Sequence, residues 1–368
     1  MVMDESKEPT VGLPAGTKVG KYEIRQKLAL GGQAIVYKGY DSSLDRFVAI
    51  KQISTHLAED PKFIDRFRNE AQILAKLGTE NPAIISIHEL VVQPDGLFIV
   101  MEYVDGQSLE ELMSQTPGPL DSNLALQVLW RVSAGLHAAH LAGIIHRDIK
   151  PSNIIIGEGG RVKIADFGVA ATTSGQTSMV LGTTKYMAPE IFAGETIDGR
   201  ADMYSLGFIA YEMLIGREKF NEIFADVVRD RHSEAFRWMK WHGNSSVTAP
   251  PIKEINPEIL ELLSDIVEMM MAKKADARFE TMETLGRLLK QHFSTRGREL
   301  QGEPIQLIHP DAGVEESKPA PGVEVAKPVG PFALPTAPLP RRRLSVRSWV
   351  IIGAACVVAV IAAGLVLG

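Results

Sequence analysis

The chain has 368 residues, 45% of them hydrophobic, and a net charge of −6. That length suits one large domain or two small ones with additions, and the apolar share suffices for a sizeable core. The acidic balance gives no footing for a nucleic-acid partner. The single cysteine, Cys356, excludes an internal disulfide framework and argues against a cysteine-based zinc site, which fits a reducing compartment.

In chain order, residues 1–20 read as a polar N-terminal tail carrying Asp4, Glu5 and Glu8. The tail lacks the apolar core of a signal peptide, so the folded part is expected to stay on the side where it was made. Residues 21–294 read as globular, and their first third reads as strands. Residues 47–53 (FVAIKQI) are rich in β-branched and aromatic types. Side chains alternate along a strand, so Ala49 and Lys51 share one face while Val48 and Ile50 share the other. A helix follows, with Ile64, Phe67, Ala71 and Leu74 at helical spacing. Glu70 borders that apolar stripe, where a carboxylate is costly unless paired, and it is a candidate partner for the Lys51 ammonium. A snorkelling lysine and an edge glutamate explain the two residues equally well when taken alone. Two apolar runs flank Gln93-Pro-Asp-Gly96, a hairpin signal.

The remainder is mostly helical, with strong helices over 124–142 and 202–215. A strand-rich part followed by a larger helical part is an α+β order. Residues 146–153 (HRDIKPSN) form a loop after the helix that ends near Leu141. The apolar residues 154–156 behind it place that loop beside a core strand. A polar turn is the plain reading. A loop presenting Asp148, Lys150 and Asn153 is also a plausible phosphate and metal site. A strand from Val162 to Ala165 then leads to Asp166-Phe-Gly168, and carboxylate and amide oxygens suit Mg²⁺ beside substrate phosphates.

Lys51 in VAIK, Glu70, HRDIKPSN, Asp166-Phe-Gly168 and Ala188-Pro-Glu190 follow one another over Lys21 to Leu289. In order and rough spacing they resemble the eukaryotic-like (Hanks-type) serine/threonine protein kinase family. Val36-Tyr-Lys-Gly39 and Asp202-Met-Tyr-Ser-Leu-Gly207 resemble its bacterial members in particular. The resemblance implies a two-lobed protein kinase fold, with a small β-rich lobe over 21–104 and a larger helical lobe over 105–294. It implies transfer of the γ-phosphate of ATP to serine or threonine hydroxyls of protein substrates, with Mg²⁺. Asp148 would accept the substrate hydroxyl's proton, and Lys150 would neutralise charge on the transferred group. Asn153 and Asp166 would hold the metal, while Lys51, positioned by Glu70, would hold the α- and β-phosphates. Such chemistry is mostly positioning and charge stabilisation. The nucleotide site would comprise Leu28, Gly31, Gly32, Val36, Ala49, Lys51, Met101, Glu102 and Val104. Residues 102–104 would serve as the adenine-binding hinge, and Met101 would guard the back of the pocket. Glu190 and Arg278 resemble a buried ion pair, and Asp202 a brace for the catalytic loop.

Three departures qualify the resemblance. In the phosphate-covering segment 28–36 (LALGGQAIV), Ala29 and Ala34 replace the outer glycines of the usual pattern, while Gly31 keeps the middle one with Gly32 beside it. Weaker or slower nucleotide handling is expected. Thr184 stands where proline is common, although Thr183 keeps the serine/threonine-specific threonine. Residues 217–251, with Trp238 and Trp241, have no clear place, and the tryptophans read as packing residues.

The loop from Asp166 to Glu190 contains Thr172, Thr173, Ser174, Thr177 and Ser178. The resemblance implies that this is the activation segment and that Arg147 pairs with a phosphate on it, which would order the segment. Thr177 is the first choice, because its spacing before Gly182 resembles the family's common autophosphorylation site, with Thr172, Thr173 and Ser178 after it, and self-association would allow trans-autophosphorylation. Residues 295–348 hold nine of the chain's 21 prolines and read as a linker. Residues 349–367 are apolar or glycine throughout, and Arg341, Arg342, Arg343 and Arg347 precede them. A single C-terminal transmembrane helix is expected, with the kinase domain held on the cytoplasmic side as a tail-anchored protein. The non-enzymatic alternative is a membrane-tethered pseudokinase scaffold. Ala29 and Ala34 speak for it, and the complete catalytic set speaks against it. A small-molecule phosphotransferase is a third reading, opposed by the segment from Asp166 through Ala188-Pro-Glu190.

Overall fold

Strand β4 (Arg46–Ile53) shows how the smaller lobe is built. Val48 and Ile50 are fully buried against Tyr22, Ile24, Tyr37, Phe98 and Val100. Ala49 faces the other way, into a small apolar cluster with Ile85, Met101 and Ala165. The alternation read from the sequence therefore separates a structural core from a cleft. The computed structural model describes residues 12–30, 34–53, 61–93, 96–167 and 184–295.

Around β4, strands β1 (Lys18–Val19), β2 (Tyr22–Leu30), β3 (Ala34–Asp41), β5 (Ile87–Gln93) and β6 (Gly96–Glu102) complete an antiparallel sheet in the order β1-β2-β3-β4-β6-β5. Helix α1 (Pro61–Glu80) interrupts the strands between β4 and β5. It buries Phe67, Ala71 and Leu74 along the stripe its spacing predicts. The predicted hairpin stands between β5 and β6, closed by the Gln93–Gly96 pair.

The larger lobe opens with β7 (Gly106–Ser108) and α2 (Leu109–Gln115). A reciprocal Ser108–Glu111 capping box starts α2 and satisfies two otherwise orphaned donors. Helix α3 (Ser122–Leu141) is capped by Asp121. Strands β8 (Ile154–Gly157) and β9 (Arg161–Ile164) pair with β7 in the order β7-β8-β9. Then come α4 (Pro189–Ala193), α5 (Gly199–Ile215), α6 (Arg217–Ile223), α7 (Ala225–Val228), α8 (Arg231–Gly243), α9 (Ile252–Ile255), α10 (Glu261–Met270) and α11 (Met282–Thr295). Helix α5 is buried on every side from Ala201 to Ile215, as an all-round apolar helix must be. It packs on α3 and α10 and forms the axis of this lobe.

The stretch 217–251 resolves into α6, α7, α8 and the approach to α9. Its tryptophans are packing residues, as expected. Trp238 is 1% exposed and meets Phe208, Phe220 and Phe224 at ring-centroid distances of 5.6, 6.0 and 5.1 Å. Trp241 covers the cluster and carries the Lys273 ammonium 3.4 Å from its ring centroid. Periodicity alone did not place these helices because α6 and α7 have only 7 and 4 residues and the aromatic face is shared among all three.

The lobes are also joined away from the connecting segment. Ile164 donates its N–H to the Ala83 carbonyl at 2.7 Å and accepts from Ile85 N–H at 3.1 Å. Among the described residues no helix is long and apolar enough to cross a membrane. The expected linker at 295–348, apart from its first residue, and the expected membrane helix at 349–367 lie outside the described residues.

Candidate active site

The loop after α3 is held from below by one carboxylate. Asp202, 1% exposed on α5, accepts the backbone N–H of His146 on Oδ2 and that of Arg147 on Oδ1, both at 2.8 Å. His140 Nε2 reaches the same Oδ2 at 2.8 Å. Arg147 takes φ +65°, a left-handed conformation uncommon for a non-glycine residue, and the two bonds to Asp202 flank it. The bracing role expected of Asp202 is therefore met. Buried His146 places Nε2 at 2.9 Å from the Ala165 carbonyl and Nδ1 at 3.3 Å from the Asp148 N–H. A carbonyl only accepts and an amide N–H only donates, so the ring is neutral with its proton on Nε2. Its ring centroid lies 4.6 Å from that of Phe167, the two rings tilted by 43°.

Asp148 has two oxygens in different situations. Oδ2 accepts from Lys150 Nζ at 2.8 Å and from Asn153 Nδ2 at 3.4 Å. Oδ1 is buried and has no partner among the described residues. A carboxylate oxygen oriented by its twin and lacking a donor is an acceptor ready for one more hydrogen. Asn153 also donates Nδ2 to the Asp148 carbonyl at 2.8 Å, which leaves its amide oxygen available to a cation. The Asn153 carbonyl accepts from Ala165 N–H at 2.8 Å, tying this loop to the next.

Asp166 follows β9 with φ +56°. Its Oδ1 stands 2.9 Å from Lys51 Nζ on β4, an ion pair that joins the two lobes. Burial pushes the Asp166 carboxyl up, but the Lys51 charge and hydrogen bond, helped by the Lys150 charge, outweigh it and hold the group below its ordinary value. Asn153 and Asp166 thus offer two hard oxygen donors on linked loops. That set fits a divalent cation whose remaining positions are filled by phosphate oxygens and water. Glu70 lies half-buried on α1.

Above these groups lies the apolar cluster of Ala49, Ile85, Met101 and Ala165, with Val104 and Ile155 packed on it. Ala49 and Met101 are cross-strand partners, and so are Val36 and Lys51. Leu28 is largely exposed on β2. The structure adds Ile85, Ile155 and Ala165 to the predicted nucleotide residues. The signal for Ile155 was available: Ile154 and Ile156 are fully buried, so the residue between them faces the cleft. Gly31, Gly32, Thr172, Thr173, Ser174, Thr177, Ser178 and Thr183 lie outside the described residues. Among the described residues, Arg147 Nε is buried without a partner.

The expected structural pair is also present. Arg278 NH1 and NH2 reach Glu190 Oε1 and Oε2 at 2.6 and 2.8 Å. Its remaining donors go to the carbonyls of Ala272, Arg200 and Lys273. All five N–H groups of the guanidinium are therefore used.

The family model described as "Protein kinase domain" matches residues 22–285. The chain is 36% identical over 278 residues to serine/threonine-protein kinase PrkC of Bacillus subtilis, covering 74% of this chain and 41% of that protein. It is 36% identical over 274 residues to serine/threonine-protein kinase PknB of Mycolicibacterium smegmatis, covering 71% and 41%. The chain thus spans about two fifths of the length of these relatives. Among solved structures, a Mycobacterium tuberculosis PknI kinase domain aligns with a TM-score of 0.59 and 25% identity, covering 77% of this chain and 100% of that one.

Proposed function

The chain belongs to the protein kinase family, and from that premise we propose that it is a serine/threonine protein kinase acting on proteins with Mg²⁺ and ATP. The observation that carries this reading is Asp148, whose Oδ2 is fixed by Lys150 and Asn153 while Oδ1 stands buried without a donor among the described residues. The hydroxyl of a serine or threonine supplies that donor. Asp148 orients its oxygen toward the γ-phosphorus and takes its proton as the new P–O bond forms and the bond to the β-phosphate oxygen breaks. Lys150 keeps a positive charge beside the reacting oxygens.

Backbone groups of residues 102–104 receive the adenine edge, over a floor of Ala49, Val104 and Ile155. Lys51 binds the α- and β-phosphates, with Glu70 on α1 orienting it. Asn153 and Asp166 hold Mg²⁺, which when bound offsets the charge on the phosphate oxygens. Retention of every member of this set favours transfer over a pseudokinase scaffold, despite Ala29 and Ala34.

Control is proposed to run through the activation segment, with Thr177 first and Thr172, Thr173 and Ser178 next, in trans between two copies. Arg147 Nε, buried without a partner among the described residues, supports a phosphate-receiving role for Arg147. Residues 349–367 are proposed to anchor the chain, since 19 residues of helix span roughly 30 Å of hydrocarbon. The arginines before them keep the kinase domain on the cytoplasmic side. The 54-residue linker then gives a root-mean-square reach of roughly 40 Å.

The test is incubation of the full-length protein with Mg²⁺ and labelled ATP beside a mixture of protein substrates, followed by phosphoamino-acid analysis. Label on serine and threonine is expected. Label on tyrosine alone, or on no protein while ATP is bound, would overturn the reading.

A further inference from the structure

Behind the adenine-binding hinge lies a buried cation that none of the assigned roles uses. Lys163, on β9 and 7% exposed, sends Nζ to Glu102 Oε2 at 2.8 Å and to the Ile84 carbonyl at 3.2 Å. Glu102 Oε2 also accepts the Ser86 N–H at 3.3 Å, and Glu102 N–H donates to the Ser86 carbonyl at 2.9 Å. Three pieces of chain meet here: the first hinge residue, the connection from α1 to β5, and the strand that leads to Asp166. Lys163 lies directly across from Ile155, whose side chain packs on the cleft's apolar cluster. The next hinge residue is held from the other side. Tyr103 OH accepts from Lys38 Nζ at 3.2 Å, and that ammonium also lies 4.2 Å from the Phe47 ring centroid.

A buried ion pair is a weak source of stability, because the cost of desolvating the charges offsets much of their attraction. An apolar pair of the same volume would hold the lobes together as well. What the ion pair adds is direction: the carboxylate of Glu102 can accept from Lys163 and Ser86 only in one placement of the hinge. Lys163 is three residues before Asp166 on the same stretch of backbone, so that placement is set relative to Asp166.

We propose that Lys163 is a positioning residue for the nucleotide. Through Glu102 it fixes the hinge backbone at a set distance from Asp166, so that the adenine and phosphate ends of one ATP molecule are held together. The proposal rests on the reading of this cleft as an ATP site.

The test is a double-mutant cycle in the full-length protein, with ADP affinity measured by calorimetry, the KM values for ATP and for a protein substrate, and Tm. Lys163→Met and Glu102→Gln each weaken ADP binding and raise the KM for ATP about three- to tenfold, and the double variant is no worse than either single. The KM for the protein substrate stays unchanged, and Lys163→Arg recovers part of the loss. Effects that add in the double variant, or a lowered Tm with unchanged ADP affinity, would overturn the proposal. Should Lys163→Met fail to fold, Glu102→Gln and Lys163→Arg decide the matter by the same ADP measurement. A parent protein that binds no nucleotide would overturn the ATP-site reading itself, and this inference with it. A parent that binds ADP as tightly as both variants would overturn the inference alone.

Discussion

Lys51 Nζ and Asp166 Oδ1 meet at 2.9 Å across the cleft, one from the smaller lobe and one from the strand end of the larger. Neither side chain has the cleft to itself: Lys51 is 18% and Asp166 32% exposed. The pair joins the residue proposed to hold phosphates to the residue proposed to hold the metal.

This pair predicts an acid-sensitive contribution to stability. Asp166 titrates below its ordinary value in the folded protein. Its stabilisation is present above the unfolded-state pKa, about 3.9, and is lost as pH falls through the lower folded value. The Tm of the parent should exceed that of Lys51→Met by most above pH 4, and the gap should narrow below it. A gap independent of pH between 6 and 3 would contradict this account of the pair.

Arg278 predicts a large stability effect away from the cleft. With all five donors used and Glu190 buried beside it, Arg278→Ala leaves an unpaired buried carboxylate. The expected cost is about 3–5 kcal/mol, read as a lower urea midpoint at unchanged slope. Arg278→Lys should recover little, because an ammonium cannot reproduce the planar two-pronged contact. A midpoint within experimental error of the parent for either variant would show that the pair is dispensable.

His242 predicts a second acid effect in a higher range. Its ring is fully buried among Tyr204, Phe208, Trp238 and Trp241, accepting from Tyr204 OH on Nδ1 and donating from Nε2 to the Lys185 carbonyl. Burial, with the nearby Lys273 charge, pushes its pKa down to about 3. The unfolded chain binds this proton first, so stability falls as pH drops from about 6.5 toward that lower value. His242→Gln should be less stable at pH 7 yet lose less Tm between pH 6.5 and 4. Parallel Tm profiles for the two proteins would refute the assignment.

Much of the cleft was legible in the sequence because its chemistry depends on residue types at short range. Asp148, Lys150 and Asn153 lie within six residues, and Asp166 follows a strand whose alternation is plain. The face choice of Ala49 and Lys51 followed from period two alone. What escaped was set by long-range packing. Lys163 reads as an ordinary strand lysine until β9 is laid beside the Ile84 connection and Glu102. Glu102 was expected to act through its backbone, and its side chain proves to serve the clasp behind the hinge. Helices α6 and α7 are short, and the aromatic residues of α6 to α8 are gathered by Phe208 from another helix, which no local pattern announces.

The central claim is that Asp148 serves as the acceptor for the substrate hydroxyl, and a comparison of the full-length parent with Asp148→Asn tests it most directly. Both proteins would be given Mg²⁺, labelled ATP and one phosphorylatable protein, with ADP affinity measured alongside. The account predicts a rate lower by about 10²–10⁴-fold for the variant, with nucleotide affinity and Tm close to those of the parent. Equal rates from the two proteins would contradict it, since the buried, unpartnered oxygen would then have no part in the transfer.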